Sequence, residues 1–109
     1  MTDFHALAST RRSIRKYTDE DVGVETILDC IDTAVTAPSG CNSQCWKFVV
    51  IHNPEVLEKL ASALTDKLAE LVDSLGLKDD GTYLESKIKM ASYFQKAPIC
   101  VAVFMTKLD

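Results

Sequence analysis

The most regular pattern of hydrophobic and polar positions lies in the first third of the chain. Apolar residues recur there at steps of three, one, three and four positions: Val24, Ile27, Leu28, Ile31 and Val35. These steps place the side chains on one face of a helix. Pro38 cannot extend a helix, because its ring removes the backbone N–H and blocks the preceding turn. We predict a helix over residues 24–35.

The longest helical pattern occupies the middle of the chain. Asn53 can cap this helix, Pro54 fits its first position, and the pattern ends at Gly76. Its apolar residues step alternately by four and three positions: Leu57, Ala61, Leu64, Leu68, Leu71 and Leu75. A seam this long either packs on another subunit or lies along the chain's own sheet, and the sequence leaves both alternatives open. The segment from Gly76 to Gly81 is predicted to be an exposed turn.

Two shorter helices are predicted near the ends of the chain. The first begins at Thr2 or Asp3 as its N-cap and has three apolar positions on one face: Phe4, Leu7 and Ala8. The second ends before Pro98 and has four such positions: Leu84, Ile88, Ala91 and Phe94.

Two continuous apolar runs, Lys47–His52 and Ile99–Met105, predict strands. Continuous rather than alternating apolar positions are typical of strands covered on both faces. Two such strands make a poor sheet by themselves, because their edges need neighbours. We therefore expect another chain, or sequence beyond this one, to complete the sheet.

Composition places the chain among globular proteins of one domain. It has 109 residues, of which 47% are hydrophobic and 26% charged. The net charge of −4 and the pI near 5.1 argue against nucleic-acid binding. No apolar run approaches the ~20 residues of a membrane span, and the N-terminus lacks the basic and apolar regions of a secretory signal. We expect a cytoplasmic protein that binds neither membrane nor nucleic acid.

The cysteines do not predict a metal site. Cys30, Cys41, Cys45 and Cys100 include no C-x-x-C pair, and the histidines lie far from them in sequence. Cys41 and Cys45 alone make a poor zinc site. We expect reduced thiols in a reducing compartment and no bound metal.

A basic segment stands out in this acidic chain. Arg11, Arg12, Arg15 and Lys16 put four positive charges into six residues. If the segment is extended, the period of two puts Arg11, Ser13 and Arg15 on one side, where guanidinium and hydroxyl groups suit a phosphate monoester. The alternative is a solvated basic strand that pairs with the acidic residues 19–21.

The loop between the predicted helix and the first strand is rich in small and amide side chains. Pro38 turns the chain, and Gly40 permits a positive φ and a close approach to a flat ligand. Hydroxyl and amide groups that can donate and accept hydrogen bonds follow: Ser39, Asn42, Ser43 and Gln44. These groups suit the edge of a heteroaromatic ring. The alternative is an ordinary loop whose side chains bond to their own backbone.

Together these segments resemble a known family. Residues 11–17 (Arg-Arg-Ser-Ile-Arg-Lys-Tyr), 37–46 (Ala-Pro-Ser-Gly-Cys-Asn-Ser-Gln-Cys-Trp) and 47–51 (Lys-Phe-Val-Val-Ile) are similar to the opening half of the nitroreductase family of FMN-dependent oxidoreductases. The resemblance covers the whole chain as one domain, 1–109, that lacks the family's C-terminal part. It implies an α+β sandwich, here in a truncated version, that forms a homodimer with FMN at the interface.

The resemblance also implies which residues bind FMN. Arg11, Ser13 and Arg15 would hold its phosphate and ribityl chain, and Arg12 would contribute mainly backbone. The isoalloxazine ring of the FMN held chiefly by the partner subunit would meet the loop residues Pro38, Ser39, Gly40 and Asn42, with Gln44 as a further contact. Cys45 stands where the family usually has proline, which frees a backbone N–H.

The implied activity is electron transfer from NADH or NADPH, through FMN, to a nitroaromatic, a quinone or a similar acceptor. The cofactor carries this chemistry, so no catalytic side chain is predicted. Reductive dehalogenation and oxygen-dependent flavin fragmentation are specialised alternatives within the flavin class. A different alternative is a non-catalytic interaction protein that pairs with itself or with a longer relative, since the later segments of the family are missing here.

Overall fold

A computed structural model describes residues 3–76 and 81–106, which form helices and a small sheet. The helices are α1 (Phe4–Thr10), α2 (Val24–Ala34), α3 (Pro54–Ser74) and α4 (Thr82–Ser92), and the strands are β1 (Trp46–Ile51) and β2 (Cys100–Met105). Short 3-10 turns cover Gly40–Asn42 and Tyr93–Lys96. The predicted turn at residues 76–81 lies mostly outside the described residues.

The helix ends follow the capping signals of the sequence. Asp3 caps α1, where its carboxylate accepts a hydrogen bond from the His5 N–H at 3.0 Å. Asn53 caps α3 in the same way, and Pro54 takes the first helical position. At the other end of α3, Gly76 adopts a left-handed φ of 62°. These caps confirm the predicted starts of both helices and the predicted end of α3.

The two strands pair with each other in antiparallel register. Trp46 lies opposite Met105, and Ile51 lies opposite Cys100. Beyond the last pair, the Thr106 N–H donates to the Cys45 carbonyl at 2.7 Å and closes the end of the ladder. The long connection through α3 and α4 therefore brings β2 back beside β1, and the two strands form one sheet.

The prediction that both strands are covered on both faces is wrong for the described part of the chain. Val49 in β1 is 38% exposed, and Val103 and Phe104 in β2 are 63% and 56% exposed. The physical reason is that few elements are available to cover a two-stranded sheet. The expectation that further chain completes the sheet stays a prediction.

The core follows one face of α3. Leu57 and Ala61 are almost completely buried, and Val72 is buried further along the same helix. Helix α3 packs mainly against α4 and the following turn, Tyr93–Lys96. The seam predicted on α3 is thus divided: its first half is inside, whereas Leu71 and Leu75 are exposed.

The N-terminal helices contribute little to this core. None of the described residues of α1 or α2 is buried, and Phe4 and Leu7 of α1 lie mostly in solvent. Apolar faces of this kind need a partner to be stable. Among residues 3–76 and 81–106, no helix combines the length and the apolar character that crossing a membrane requires.

Candidate functional site

The arginine segment, residues 11–17, follows α1 and has no regular secondary structure. Arg11 has the extended dihedral angles φ −56° and ψ 136°. Its Nη1 lies 3.4 Å from the Ser13 Oγ, to which it donates a long hydrogen bond. The side chains at positions 11 and 13 therefore share one side, as the extended alternative predicts.

Arg12 points away from this pair and toward the backbone. Its Nη1 donates to the Ser9 carbonyl at 3.0 Å and to the Arg11 carbonyl at 2.8 Å. These bonds satisfy two donors of its guanidinium group and stabilise the exit from α1. These bonds occupy the Arg12 side chain, and a contribution of its backbone to FMN binding stays a prediction.

Two aromatic contacts attach the arginine segment to the turn after α4. The rings of Tyr17 and Tyr93 stack with centroids 6.3 Å apart, at an interplanar angle of 21°. The guanidinium carbon of Arg15 lies 5.7 Å from the centroid of the Tyr93 ring. Burial raises the pKa of Tyr17, with smaller contributions from Tyr93 and Cys100. Arg15 is thereby oriented by a residue far away in sequence.

The arginines have no carboxylate partner within the described residues. Asp21, from the acidic run that could have paired with them, instead binds His52: its Oδ1 lies 2.8 Å from the ring Nε2. The hydrogen bond from His52 is the main reason that the pKa of Asp21 is lowered. The alternative of a basic strand paired with the acidic run is therefore not observed, and Arg11, Ser13 and Arg15 remain open to an anion.

The loop after α2 is tightly turned, but not at the residue expected. Cys41, Asn42 and Gln44 adopt positive φ angles of 53°, 53° and 48°, whereas Gly40 does not. The prediction that Gly40 makes the positive-φ turn is wrong. The turn is held instead by backbone bonds, from the Asn42 N–H to the Ser39 carbonyl at 3.0 Å and from the Ser43 N–H to the Gly40 carbonyl at 3.0 Å. With these bonds the left-handed conformation begins one residue after Gly40, at Cys41, and continues at Asn42. Asparagine tolerates this conformation well.

The side chains of the loop divide between local bonding and exposure. The Ser39 Oγ accepts a hydrogen bond from the Gln44 N–H at 3.1 Å, which partly supports the alternative of an ordinary loop. A Cβ built on Gly40 would meet no heavy atom within 4 Å, so this part of the loop faces open space. Pro38, Asn42 and Gln44 are exposed. Such a surface can accept a flat ring in close contact.

The hydrogen bonds, ion pairs and ring contacts of the described residues do not connect the arginine segment to the loop. Arg11 and Ser13 are therefore joined to each other and Arg15 is oriented by Tyr93, while none of these contacts reaches the loop residues. A site formed by one subunit's arginine segment and another subunit's loop would need no contact between the two within one chain. In the same part of the chain, no three His, Cys, Asp or Glu side chains are grouped to hold a metal ion.

Sequence reasoning missed Tyr93 as a residue of this region. Its position falls at the end of the stripe that predicts α4, where an aromatic residue is expected to pack in a core. Only the tertiary contacts with Arg15 and Tyr17 place it beside the arginine segment. No local signal in the sequence distinguishes it.

A comparison with protein families decides the relationship of the chain. The model of the Nitroreductase family matches residues 8–108. The chain belongs to the nitroreductase family. The prediction from the two motifs is confirmed, and so is the α+β fold class.

Individual members of the nitroreductase family show how far the likeness extends. Iodotyrosine deiodinase 1 of Pongo abelii is 32% identical over 109 residues, which cover 94% of this chain and 36% of that protein. The crystal structure of a BluB-like flavoprotein from Clostridium difficile 630 has a TM-score of 0.81 at 33% identity, over 96% of this chain and 49% of the other. An iodotyrosine deiodinase structure with FMN and 3-iodo-L-tyrosine bound has a TM-score of 0.68 at 22% identity, over 93% of this chain and 55% of the other.

The chain spans only part of the length of the relatives that it matches. The share is between 22% and 38% for the iodotyrosine deiodinase sequences and about half for the two solved structures. The two motifs of the sequence analysis lie within the matched residues.

Proposed function

We propose that this chain provides the FMN-binding portion of an oxidoreductase that transfers electrons from NAD(P)H to a nitroaromatic, a quinone or a similar small acceptor. The observation that supports this most directly is the pairing of Arg11 with Ser13 in an arginine segment that has no carboxylate partner among the described residues. Arginine donors left free of carboxylates suit a phosphate monoester, because a guanidinium forms charge-assisted bonds to its oxygens.

The donor set fits FMN at both ends of the molecule. Arg11, Ser13 and Arg15 would bind its phosphate and ribityl chain, with Arg12 holding the segment through its backbone bonds. The open surface at Gly40, with its neighbours Pro38, Ser39, Asn42 and Gln44, would meet the isoalloxazine ring bound mainly to a partner subunit. When bound, FMN accepts electrons from NAD(P)H and passes them to the acceptor. The residues of this chain bind and orient it, and none is assigned a proton-transfer role.

A homodimer is part of the proposal, because no hydrogen bond, ion pair or ring contact of the described residues joins the arginine segment to the loop, so the loop of a second subunit is free to complete the site. The exposed apolar residues of α1 and of the second half of α3 support it, since exposed apolar faces are a common mark of subunit interfaces. The cytoplasm is the proposed location, as the composition predicts.

The FMN assignment is tested by the double substitution Arg11→Ala and Arg15→Ala. Each charge-assisted hydrogen bond contributes about 1.5–3 kcal/mol, so the variant should bind FMN at least ~100-fold more weakly, as measured by flavin fluorescence. A control with Lys59→Ala and Lys67→Ala removes two exposed charges from α3 and should bind FMN normally. Circular dichroism verifies that both variants fold.

Riboflavin provides the second half of this test, because it lacks the phosphate. The unmodified chain should prefer FMN to riboflavin, and the double variant should lose this preference. Equal losses of FMN and riboflavin affinity would show that the two arginines support the fold or the ring rather than the phosphate.

The matched relatives favour a halogenated aromatic compound as one candidate acceptor, because several are named iodotyrosine deiodinase. In such a reaction hydrogen replaces the halogen on the ring. The ring carbon gains two electrons and a proton as the halide leaves, and NAD(P)H or dithionite supplies the electrons. Release of iodide from 3-iodotyrosine by the FMN-loaded protein supports this acceptor class. Reduction of a nitroaromatic or quinone without iodide release supports the general one.

The exposed seam favours a second candidate function, that of a non-catalytic interaction protein. Leu71 and Leu75 continue the apolar face of α3 beyond the core and are 53% and 63% exposed. A chain that uses this face would pair with itself or with a longer relative. Sedimentation that shows a flavin-free monomer at micromolar concentration would eliminate self-pairing, and a flavin-bound dimer would favour the oxidoreductase.

A further inference from the structure

A cleft lies between the arginine segment and the end of α4. It has a volume of about 460 Å³, within the size range of small-ligand sites. Six side chains define its chemistry: Arg15, Lys16, Tyr17, Lys89, Tyr93 and Lys96. We infer that this basic cleft binds a diphosphate, which under the proposed function is the diphosphate of NAD(P)H.

The charge of the basic cleft is the first argument. Two of its four cations, Arg15 and Lys16, come from the arginine segment, and the other two, Lys89 and Lys96, come from α4 and the following turn. The fold therefore assembles the cluster from segments more than 70 residues apart, in a chain of net charge −4. Among the described residues, no Asp or Glu lines the cleft, and none of the four cations forms an ion pair. Four like charges repel one another unless an anion lies between them.

The walls of the basic cleft supply the second argument. The stacked rings of Tyr17 and Tyr93 form an apolar wall, and the Arg15 guanidinium lies over the Tyr93 ring. The buried Ser92 donates to the Ile88 carbonyl at 2.7 Å and fixes the end of α4 beneath them. Apolar walls weaken the screening of nearby charges by water, so the attraction for an anion is stronger than on an open surface.

The arrangement of the cations favours a diphosphate over a single phosphate. The cations come from two different segments, two from each, and a diphosphate offers two phosphoryl groups. A phosphate monoester already has a candidate site at Arg11 and Ser13, on the same arginine segment. The proposed electron donor carries a diphosphate and must bind next to FMN at each turnover. The basic cleft shares Arg15 with the proposed FMN site, so a diphosphate held there would lie beside the FMN phosphate.

The test uses the double substitution Lys89→Gln and Lys96→Gln, with Lys59→Gln and Lys67→Gln as a control for the change in net charge. Inorganic pyrophosphate is the first probe and NADH the second, both followed by calorimetry at 0.15 M salt or below, where screening is limited. We expect the unmodified chain and the control to bind pyrophosphate and the double variant to bind it at least ~10-fold more weakly. NADH affinity should fall in parallel, and FMN affinity should stay unchanged.

Three results separate this inference from the proposed function. If the unmodified chain does not bind pyrophosphate, the inference is wrong. If the double variant loses FMN rather than pyrophosphate, the basic cleft serves the cofactor and the diphosphate assignment is also wrong. If pyrophosphate binding depends on Lys89 and Lys96 in a chain that takes up no FMN, the cleft assignment holds and the oxidoreductase proposal fails.

Discussion

The difference in burial between two leucines of α3 leads to a comparison of Leu57→Ala with Leu71→Ala. The same substitution is made twice on one helix, at positions about 21 Å apart along its axis. Leu57 is 1% exposed and is the largest side chain that is fully buried in the described residues, whereas Leu71 is 53% exposed. Because both changes replace leucine by alanine within a helix, their effects on helix propensity are equal and small.

The expected losses of stability differ because burial differs. Removing a buried leucine side chain costs about 2–5 kcal/mol, which includes the cavity left behind. Leu57 lies at the upper part of this range if its neighbours in α4 cannot move inward. Leu71 retains about half of its exposure to water, so its replacement should cost less than ~1 kcal/mol. Since domains are stable by only about 5–15 kcal/mol, Leu57→Ala removes a large share of the total.

Urea denaturation measures both free energies. The single tryptophan, Trp46 in β1, reports on the sheet by fluorescence, and circular dichroism at 222 nm reports on the helices. Each variant is measured at two protein concentrations, because association with a second copy makes stability depend on concentration. We expect Leu57→Ala to lower the midpoint strongly and Leu71→Ala to change it little. A loss for Leu71→Ala as large as for Leu57→Ala would refute the division of the seam, and a concentration dependence of that loss would show that a second copy covers Leu71.

Three further predictions concern the site. Asp21→Asn should destabilise the protein at neutral pH. Because the pKa of Asp21 is lowered in the folded state, its contribution to stability is present above the usual pKa of about 3.9 and is lost as the pH falls through the folded value. Denaturation curves of variant and parent should therefore converge in acid. Gly40→Ala should leave stability nearly unchanged, since the added Cβ meets no atom within 4 Å. The same change should weaken FMN binding, because the methyl group stands where the ring is proposed to approach. An unchanged FMN affinity would contradict that placement. Tyr93→Leu should lower the free energy of unfolding by about 1 kcal/mol, whereas Tyr93→Phe, which keeps the ring, should not. Equal losses of stability in both variants would argue against the aromatic contacts.

Elements governed by near neighbours were predictable. The caps at Asp3 and Asn53, the helical position of Pro54 and the end of α3 at Gly76 are all as expected, because capping and helix termination depend on residues within one turn. The extended arginine segment is of the same kind. The positive φ at Cys41 was missed, since the hydrogen bonds from Asn42 and Ser43, rather than the freedom of Gly40, determine where the loop turns.

The sequence by itself thus determined the elements, their order, the two motifs and hence the family. Only the tertiary structure decided that the strands pair antiparallel, that Asp21 binds His52 instead of an arginine, and that Tyr93 meets Arg15. The physical reason is that these contacts join residues far apart in the chain. Periodicity shows which face of an element is apolar, but it does not show which faces meet. The basic cleft forms only because two segments far apart in the chain pack together and bring Lys89 and Lys96 into one cleft with Arg15.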